Sequence, residues 1–373
     1  MAGIYLHIPF CKQACHYCNF HFSTTYEKYR SRLVNALIEQ LAEEATELTT
    51  TIDTIYFGGG TPSLLSEVEL LNILSTIKTK YRVSTAAEIT LEANPDDITS
   101  EKSAMWLNAG VNRLSIGIQS FFQENLTTMN RAHTSEESLN AINTIKKAGF
   151  NNYSVDLMFS LPDLTDDMWI SNLNRIIELQ VPHLSCYNLT IEEQTTLSQM
   201  IAKNKISPLS DDVSVRQFTI AMDKLSNATY QQYEISNYCL PGMESKHNTA
   251  YWNQIDYLGI GPGAHSYLNN ERSSNIANNM IYIKEIENGT FTKQVEVLSL
   301  ENRFNEFILT RLRTKNGISI KELSSTFNMF FDGCKQLIDH QIQNKTMVLE
   351  SGCAKLTRKG KFIADQIAME LFI

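Results

Sequence analysis

Cys11-Lys12-Gln13-Ala14-Cys15-His16-Tyr17-Cys18 places three thiols on one short stretch, spaced C-x3-C-x2-C. The stretch follows directly on a strand-like apolar run, Ile4-Tyr5-Leu6-His7-Ile8-Pro9-Phe10. Thiolates are soft ligands, and three on one loop can reach a single iron–sulfur cube. Four irons served by three cysteines leave one iron open to an exchangeable ligand, much as a catalytic zinc keeps a free position. The spacing departs from the C-x2-C zinc knuckle, and no matching second pair follows. A cluster is the leading reading. A zinc site and ordinary buried or redox cysteines are the alternatives.

The rest of the composition narrows the class. With 373 residues, 43% hydrophobic and 20% charged, the chain suits a soluble globular protein of one large domain and a smaller one. A formal charge of −9 argues against a general nucleic-acid binder, which presents a basic face. Seven cysteines without a disulfide framework suit a reducing compartment. No apolar run approaches the ~20 residues of a membrane span, and no charged-then-apolar leader opens the chain. The expectation is a cytoplasmic protein, with a peripheral membrane contact left open.

Downstream of the cysteines the hydrophobic period switches repeatedly between helix and strand. A helical pattern through Tyr26, Tyr29, Leu33, Leu37 and Leu41 leads to a strand at Thr54–Phe57 that ends in Gly58-Gly59-Gly60-Thr61. Ser66 with Glu69, and Thr134 with Glu137, read as capping boxes. Further strands are expected at Glu88–Glu92, Arg113–Ile118, Tyr153–Phe159 and His183–Leu189, with helices between them. Such alternation builds βαβ units on a parallel sheet. Six units predict an α/β fold, a partial (β/α)6 barrel over residues 1–268, with a doubly wound sheet as the alternative.

Beyond this the pattern loosens. Residues 211–226 read as a helix and Gln232–Tyr238 as one strand. Residues 269–299 read as an Asn/Ser-rich connection. Residues 300–373 run helix, helix, helix, short β pair, helix, the order of a mostly helical winged-helix-like domain. With 11 Lys/Arg against 8 Asp/Glu and no basic recognition helix, that unit is expected to act as a lid or docking surface instead of binding DNA.

In a barrel of this type, function gathers at the C-terminal ends of the strands. There stand the cysteine loop, Gly59-Gly60-Thr61, Glu92 and Gln119, with Asp156 inside the fifth strand. Carboxylates inside apolar strands are costly to bury without partners, so one polar rim around the cysteine loop accounts for them together. The glycine turn alone is also readable as structural or phosphate-binding, although it lacks G-x-G-x-x-G and a P-loop lysine. His247, in His-Asn-Thr-Ala-Tyr-Trp, offers nitrogens able to ligate haem iron; a lone histidine is more often a hydrogen-bonded structural residue. Cys186, Cys239, Cys334 and Cys353 are scattered and read as small core residues.

The string Tyr5-Leu-His-Ile-Pro-Phe-Cys11-x3-Cys15-x-Tyr17-Cys18-Asn-Phe20 resembles the signature of radical S-adenosylmethionine (SAM) enzymes. Its branch is the one holding oxygen-independent coproporphyrinogen III oxidase and the HemW-type haem chaperones. The resemblance implies a [4Fe-4S] cluster on Cys11, Cys15 and Cys18, its unique iron chelated by SAM, whose reductive cleavage gives a 5′-deoxyadenosyl radical. It implies that Gly59, Gly60 and Thr61 meet the amino end of SAM, and that Tyr5, Tyr17, Glu92, Gln119, Arg131 and Asp156 line the rest of the site. The H-N-x-x-Y-W string resembles a motif of the chaperones associated with haem, which makes His247 the expected haem ligand.

Two departures separate the branches. The oxidases carry a fourth cysteine where this chain has Phe20, and a long extension before the signature where ten residues precede Cys11. A radical acting on a porphyrinogen needs enclosure, so the expectation is a haem chaperone in which the cluster and SAM tune or gate transfer. The alternatives are the oxidase and a radical-SAM enzyme with another substrate. The resemblance further implies a haem-accepting partner, membrane-associated acceptors and dimerisation.

Overall fold

The centre of the sheet in this protein follows the order of the sequence. The computed structural model describes residues 1–207 and 210–373. The first six strands are β1 (Ala2–Ile8), β2 (Ile52–Gly59), β3 (Val83–Ala93), β4 (Arg113–Gln119), β5 (Tyr153–Phe159) and β6 (His183–Asn188). They pair in that order, all parallel. A doubly wound sheet reverses its strand order at a switch point; this sheet does not, and the partial barrel is the fold. Its crossovers are α1 (Arg30–Glu43), α2 (Glu67–Lys80), α3 (Ser100–Ala109), α4 (Gln123–Thr128) with α5 (Ser135–Ala148), and α6 (Asp166–Glu178).

Side-chain alternation sets what each strand faces. Ile4, Leu6 and Ile8, then Ile55 and Phe57, Leu114 and Ile116, and Val155 and Leu157 are all fully buried. They belong to the single large hydrophobic core that also takes in Leu33, Leu37, Ile73 and Ile142 of the helices. The opposite face is polar: Tyr5 and His7, Thr54 and Tyr56, Glu88 and Glu92, Arg113 and Ser115, Ser154 and Asp156, His183 and Ser185. Barrel interiors of this class are ordinarily filled with branched apolar residues. This one is built to hold something polar.

Local signals agree with the elements. Both expected capping boxes form, Ser66 with Glu69 and Thr134 with Glu137, each cap stabilising its helix by about 1 kcal/mol. Gly110 and Gly149 close α3 and α5 in the left-handed region. β3 runs from Val83 and is longer than its apolar centre suggested, since its first four residues are half-buried or exposed.

After β6 come α7 (Thr196–Ala202), α8 (Asp211–Asn227), β7 (Gln231–Gln232) and β8 (Asn237–Cys239). The single strand expected over Gln232–Tyr238 is instead the β7–β8 hairpin, Gln232 pairing with Tyr238. Glu234 turns the chain there by accepting hydrogen bonds from the Ser236 amide and the Asn237 side chain. Next are α9 (Lys246–Trp252), β9 (Tyr257–Ile260), β10 (His265–Leu268), β11 (Glu271–Ser274), α10 (Asn279–Glu287) and β12 (Gln294–Val297). β9 pairs parallel with β1, and β10, β11 and β12 extend that edge antiparallel. The stretch 269–299 thus adds two strands and a helix, which packs on α1, and is more than an irregular connection.

The remaining elements are α11 (Leu300–Leu312), β13 (Ile318–Ser319), α12 (Ile320–Thr326), α13 (Asn328–Gln343), β14 (Met347–Glu350), β15 (Cys353–Leu356), α14 (Arg358–Lys361) and α15 (Ala364–Leu371). They enclose a separate core around Phe304, Phe307, Leu323, Phe327 and Ile338. Their order is that of a winged helix. No helix among the described residues is long and apolar enough to cross a membrane.

Candidate functional site

The segment after β1 has little regular structure, so its shape is imposed by what it is tied to. The Cys11 amide donates to Ser23 O (3.0 Å) and the Ser23 amide to Pro9 O (2.7 Å), closing the segment at its base. The His16 amide reaches Met129 O at 3.0 Å. Gln13 Nε2 donates to Asn130 Oδ1 (2.8 Å), and Asn130 Nδ2 donates to Ala14 O (2.7 Å). Lys12 lies 2.7 Å from Asp96 and 2.5 Å from Asp97. The loop is held over the strand ends by the turns that follow β3 and α4.

Beneath it is a cavity of about 370 Å³. Cys11, Cys15 and Cys18 line it, with Tyr17, Gly59, Gly60, Thr61, Glu92, Gln119, Arg131 and Asp156. Of the residues expected at the site, Tyr5 and His247 alone are not on this wall. They line a second chamber of about 210 Å³, earlier along the strands, that shares Glu92, Ser115 and Tyr187 with the first.

The three thiols are free and line one cavity. A [4Fe-4S] cube takes one thiolate at each of three irons and leaves the fourth open. The donor set therefore fits a cluster. Burial pushes the Cys11 thiol up to about 11, against the Thr61 hydroxyl 3.5 Å from its sulfur, and raises Cys18 as well. Protons must then leave as metal binds.

Arg131 supplies the positive charge. Its Nη1 donates to Cys15 Sγ and to the Tyr17 hydroxyl, both at 3.3 Å. Its Nη2 donates to Asn94 Oδ1 (2.7 Å) and Gly117 O (2.8 Å). Burial opposes the charge, but Tyr17 and Cys15 beside it hold the guanidinium firmly protonated. Its Nε is buried without a partner.

Glu92 lines the same cavity. Burial lifts its carboxyl to about 7; the Tyr56 hydroxyl, 2.8 Å from Oε1, pulls the other way, and Asp156 pushes it up further. The Gly59 amide donates to its Oε2 at 3.2 Å. Asp156 is raised by burial and keeps Oδ1 unpartnered. Gln119, at the end of β4, has φ +67°, a strained conformation for a non-glycine residue. The cavity thus offers a cation, two carboxylates and unspent polar atoms, a set able to grip a zwitterionic ligand with hydroxyl groups.

Sequence reasoning missed Asn94, which links Arg131 to the Thr61 hydroxyl (3.3 Å), as well as Ser115, Gly117, Met158 and Tyr187 on the cavity wall. The signal was present for all but one. Asn94, Gly117 and Met158 each stand two residues from one already singled out (Glu92, Gln119 and Asp156), Ser115 stands four from Gln119, and nothing in β6 pointed to Tyr187.

His247 does not sit as expected. It is 2% exposed, with Nδ1 2.7 Å from Thr54 Oγ1 and Nε2 2.9 Å from the Tyr251 hydroxyl. A neutral imidazole has one donor and one acceptor nitrogen, and both are engaged. Burial also lowers its pKa to about 3. As placed here the ring is a hydrogen-bonded interior residue, and iron ligation through Nε2 would require the Tyr251 hydroxyl to leave it.

Comparison with known proteins adds three findings. The radical SAM superfamily model matches residues 5–176. The chain is similar to proteins named heme chaperone HemW from Lactococcus lactis (33% identical, covering 97% of each chain), Bacillus subtilis (32%, 98% of each) and Escherichia coli (31%, 100% of this chain and 98% of that one). Among solved structures it resembles the radical SAM coproporphyrinogen III oxidase HemN of Escherichia coli. The TM-score is 0.86 at 19% identity, over 100% of this chain and 90% of that chain. That likeness shows the fold.

Proposed function

This chain belongs to the HemW family of the radical SAM superfamily, and on that footing we propose that it is a haem chaperone, binding haem and handing it to an acceptor protein. Membership implies a [4Fe-4S] cluster and SAM. We assign the cluster to Cys11, Cys15 and Cys18. We assign SAM to Gly59, Gly60, Thr61, Glu92, Gln119, Arg131, Asp156 and Tyr17, with Tyr5 beneath them. When bound, the cluster would supply an electron and SAM a cleavable sulfonium. Arg131 would hold the SAM carboxylate, and Glu92 or Asp156 its ammonium or ribose hydroxyls.

The observation that carries this reading over decarboxylation is near-full-length similarity to chaperones, joined to Phe20 at the position of the oxidases' fourth cysteine. Phe20 is 67% exposed on the cavity rim and brings no ligand there. The discriminating experiment is anaerobic incubation of the cluster-reconstituted protein with SAM, a reductant and coproporphyrinogen III. The chaperone reading expects no carboxyl loss, and turnover would move the assignment to the oxidase. The implied dimer and membrane-associated acceptor are open to sedimentation and vesicle flotation.

A further inference from the structure

The string His247-Asn-Thr-Ala-Tyr-Trp252 forms α9, and its contacts run inward. Glu88, 4% exposed, accepts from the Lys246 amide (3.2 Å) and the His247 amide (3.0 Å), so β3 caps this helix from inside the barrel. Thr54 and Tyr251 clamp the His247 ring from opposite ends. The ring stacks on Tyr56, centroids 4.9 Å apart with planes 22° from parallel. Tyr56 donates to Glu92, and Glu92 receives the Gly59 amide. An unbroken series of contacts therefore joins α9 to the floor of the SAM cavity.

The barrel leaves no slack in that series. A Cβ at Gly3 would lie 2.8 Å from Thr54 Oγ1 and 3.4 Å from His247 Nδ1. One at Gly58 would lie 2.9 Å from Tyr56 Cε1 and 3.1 Å from Glu92 Oε1. Two inward strand positions are thus occupied by the one residue that makes room for these rings. At its other end α9 is held by the C-terminal unit: Arg311 Nη1 donates to Trp252 O (3.0 Å), and the Arg313 guanidinium lies 5.2 Å from the Trp252 ring centre.

We propose that His247 is a positioning residue for the SAM site, holding Tyr56 so that its hydroxyl fixes Glu92 at the cavity floor. The inference rests on the assignment of Glu92 to SAM and deepens it. The six-residue string then sets the contact of Glu92 with SAM from behind and ties it to the C-terminal unit.

The test uses full-length, cluster-reconstituted protein with Thr54→Val, which cuts one clamp but keeps the imidazole, and Tyr56→Phe, which keeps the ring but removes the donor to Glu92. SAM affinity is read by equilibrium dialysis, and amide exchange of the 57–61 peptide is read without SAM. Both variants are expected to weaken SAM roughly tenfold, the scale of a lost hydrogen bond to a charged group, and to speed exchange at Gly59. Because Thr54→Val retains His247, its SAM loss cannot be the loss of a haem ligand. SAM affinity and Gly59 exchange both within twofold of the parent would overturn the positioning role. If the parent itself fails to bind SAM, the site assignment falls, while the exchange measurement still decides whether His247 and Tyr56 order Glu92.

Discussion

Arg131 Nη1 donates to Cys15 Sγ at 3.3 Å, joining the turn after α4 to the cysteine loop across 116 residues of sequence. The same guanidinium holds Asn94 and the Gly117 carbonyl, and so fixes the cavity from three sides at once. Arg131→Met should leave the cluster in place, since all three thiols remain, but weaken SAM by roughly ten- to a hundredfold through the lost charge-assisted bonds. Isothermal titration beside the iron content of each protein checks this; unchanged affinity would remove Arg131 from the site.

Cluster ligation is tested by removing one thiol at a time. Cys11→Ala, Cys15→Ala and Cys18→Ala should each abolish the brown absorbance of the reconstituted protein. Cys186→Ala should not, because that thiol is 1% exposed in the hydrophobic core, its pKa raised by burial. An intact cluster in Cys15→Ala would contradict the ligand assignment.

Glu92 gives the site a pH dependence with a definite sign. Its pKa in the folded protein is about 7, above the ordinary carboxyl value because burial disfavours the charge. Below that pH the group takes up a proton and loses the negative charge offered to SAM. Affinity should therefore be highest above pH 7 and fall as pH drops through it, by at most about tenfold per pH unit. Glu92→Gln should flatten the profile. A flat profile in the parent would show that Glu92 does not contact the ligand as an anion.

Crowding behind the site predicts a stability effect. Gly3→Ala would press a methyl group against Thr54 and His247, at a cost of about 1–3 kcal/mol, as for other overpacked cores. Urea denaturation measures it, and a loss below ~0.5 kcal/mol would mean that α9 can retreat from the barrel.

How much of this was legible in the sequence depended on the range of the interaction that fixed it. Capping boxes and the glycine C-caps of α3 and α5 are local, and they lie where Ser66, Thr134, Gly110 and Gly149 placed them. The strand centres were visible as apolar runs. Their inner faces were readable too, because a parallel strand that is apolar on one side and Tyr, Ser, Glu or Arg on the other must line a polar space. The turn within Gln232–Tyr238 was hidden, since β-branched and aromatic residues surround the buried Glu234 that makes it. His247 was legible as special, but its burial was not. That depends on Gly3, Thr54, Tyr56 and Glu88, which come from three strands far away in the sequence.

Haem binding itself carries the whole functional account, and a visible-absorbance haem titration of the purified protein tests it most directly. Saturation near one haem per chain, followed by loss of that absorbance to an added haem-free acceptor protein, is the predicted result. Weak binding that never saturates, or haem that saturates the protein and cannot be passed on, would contradict the chaperone assignment.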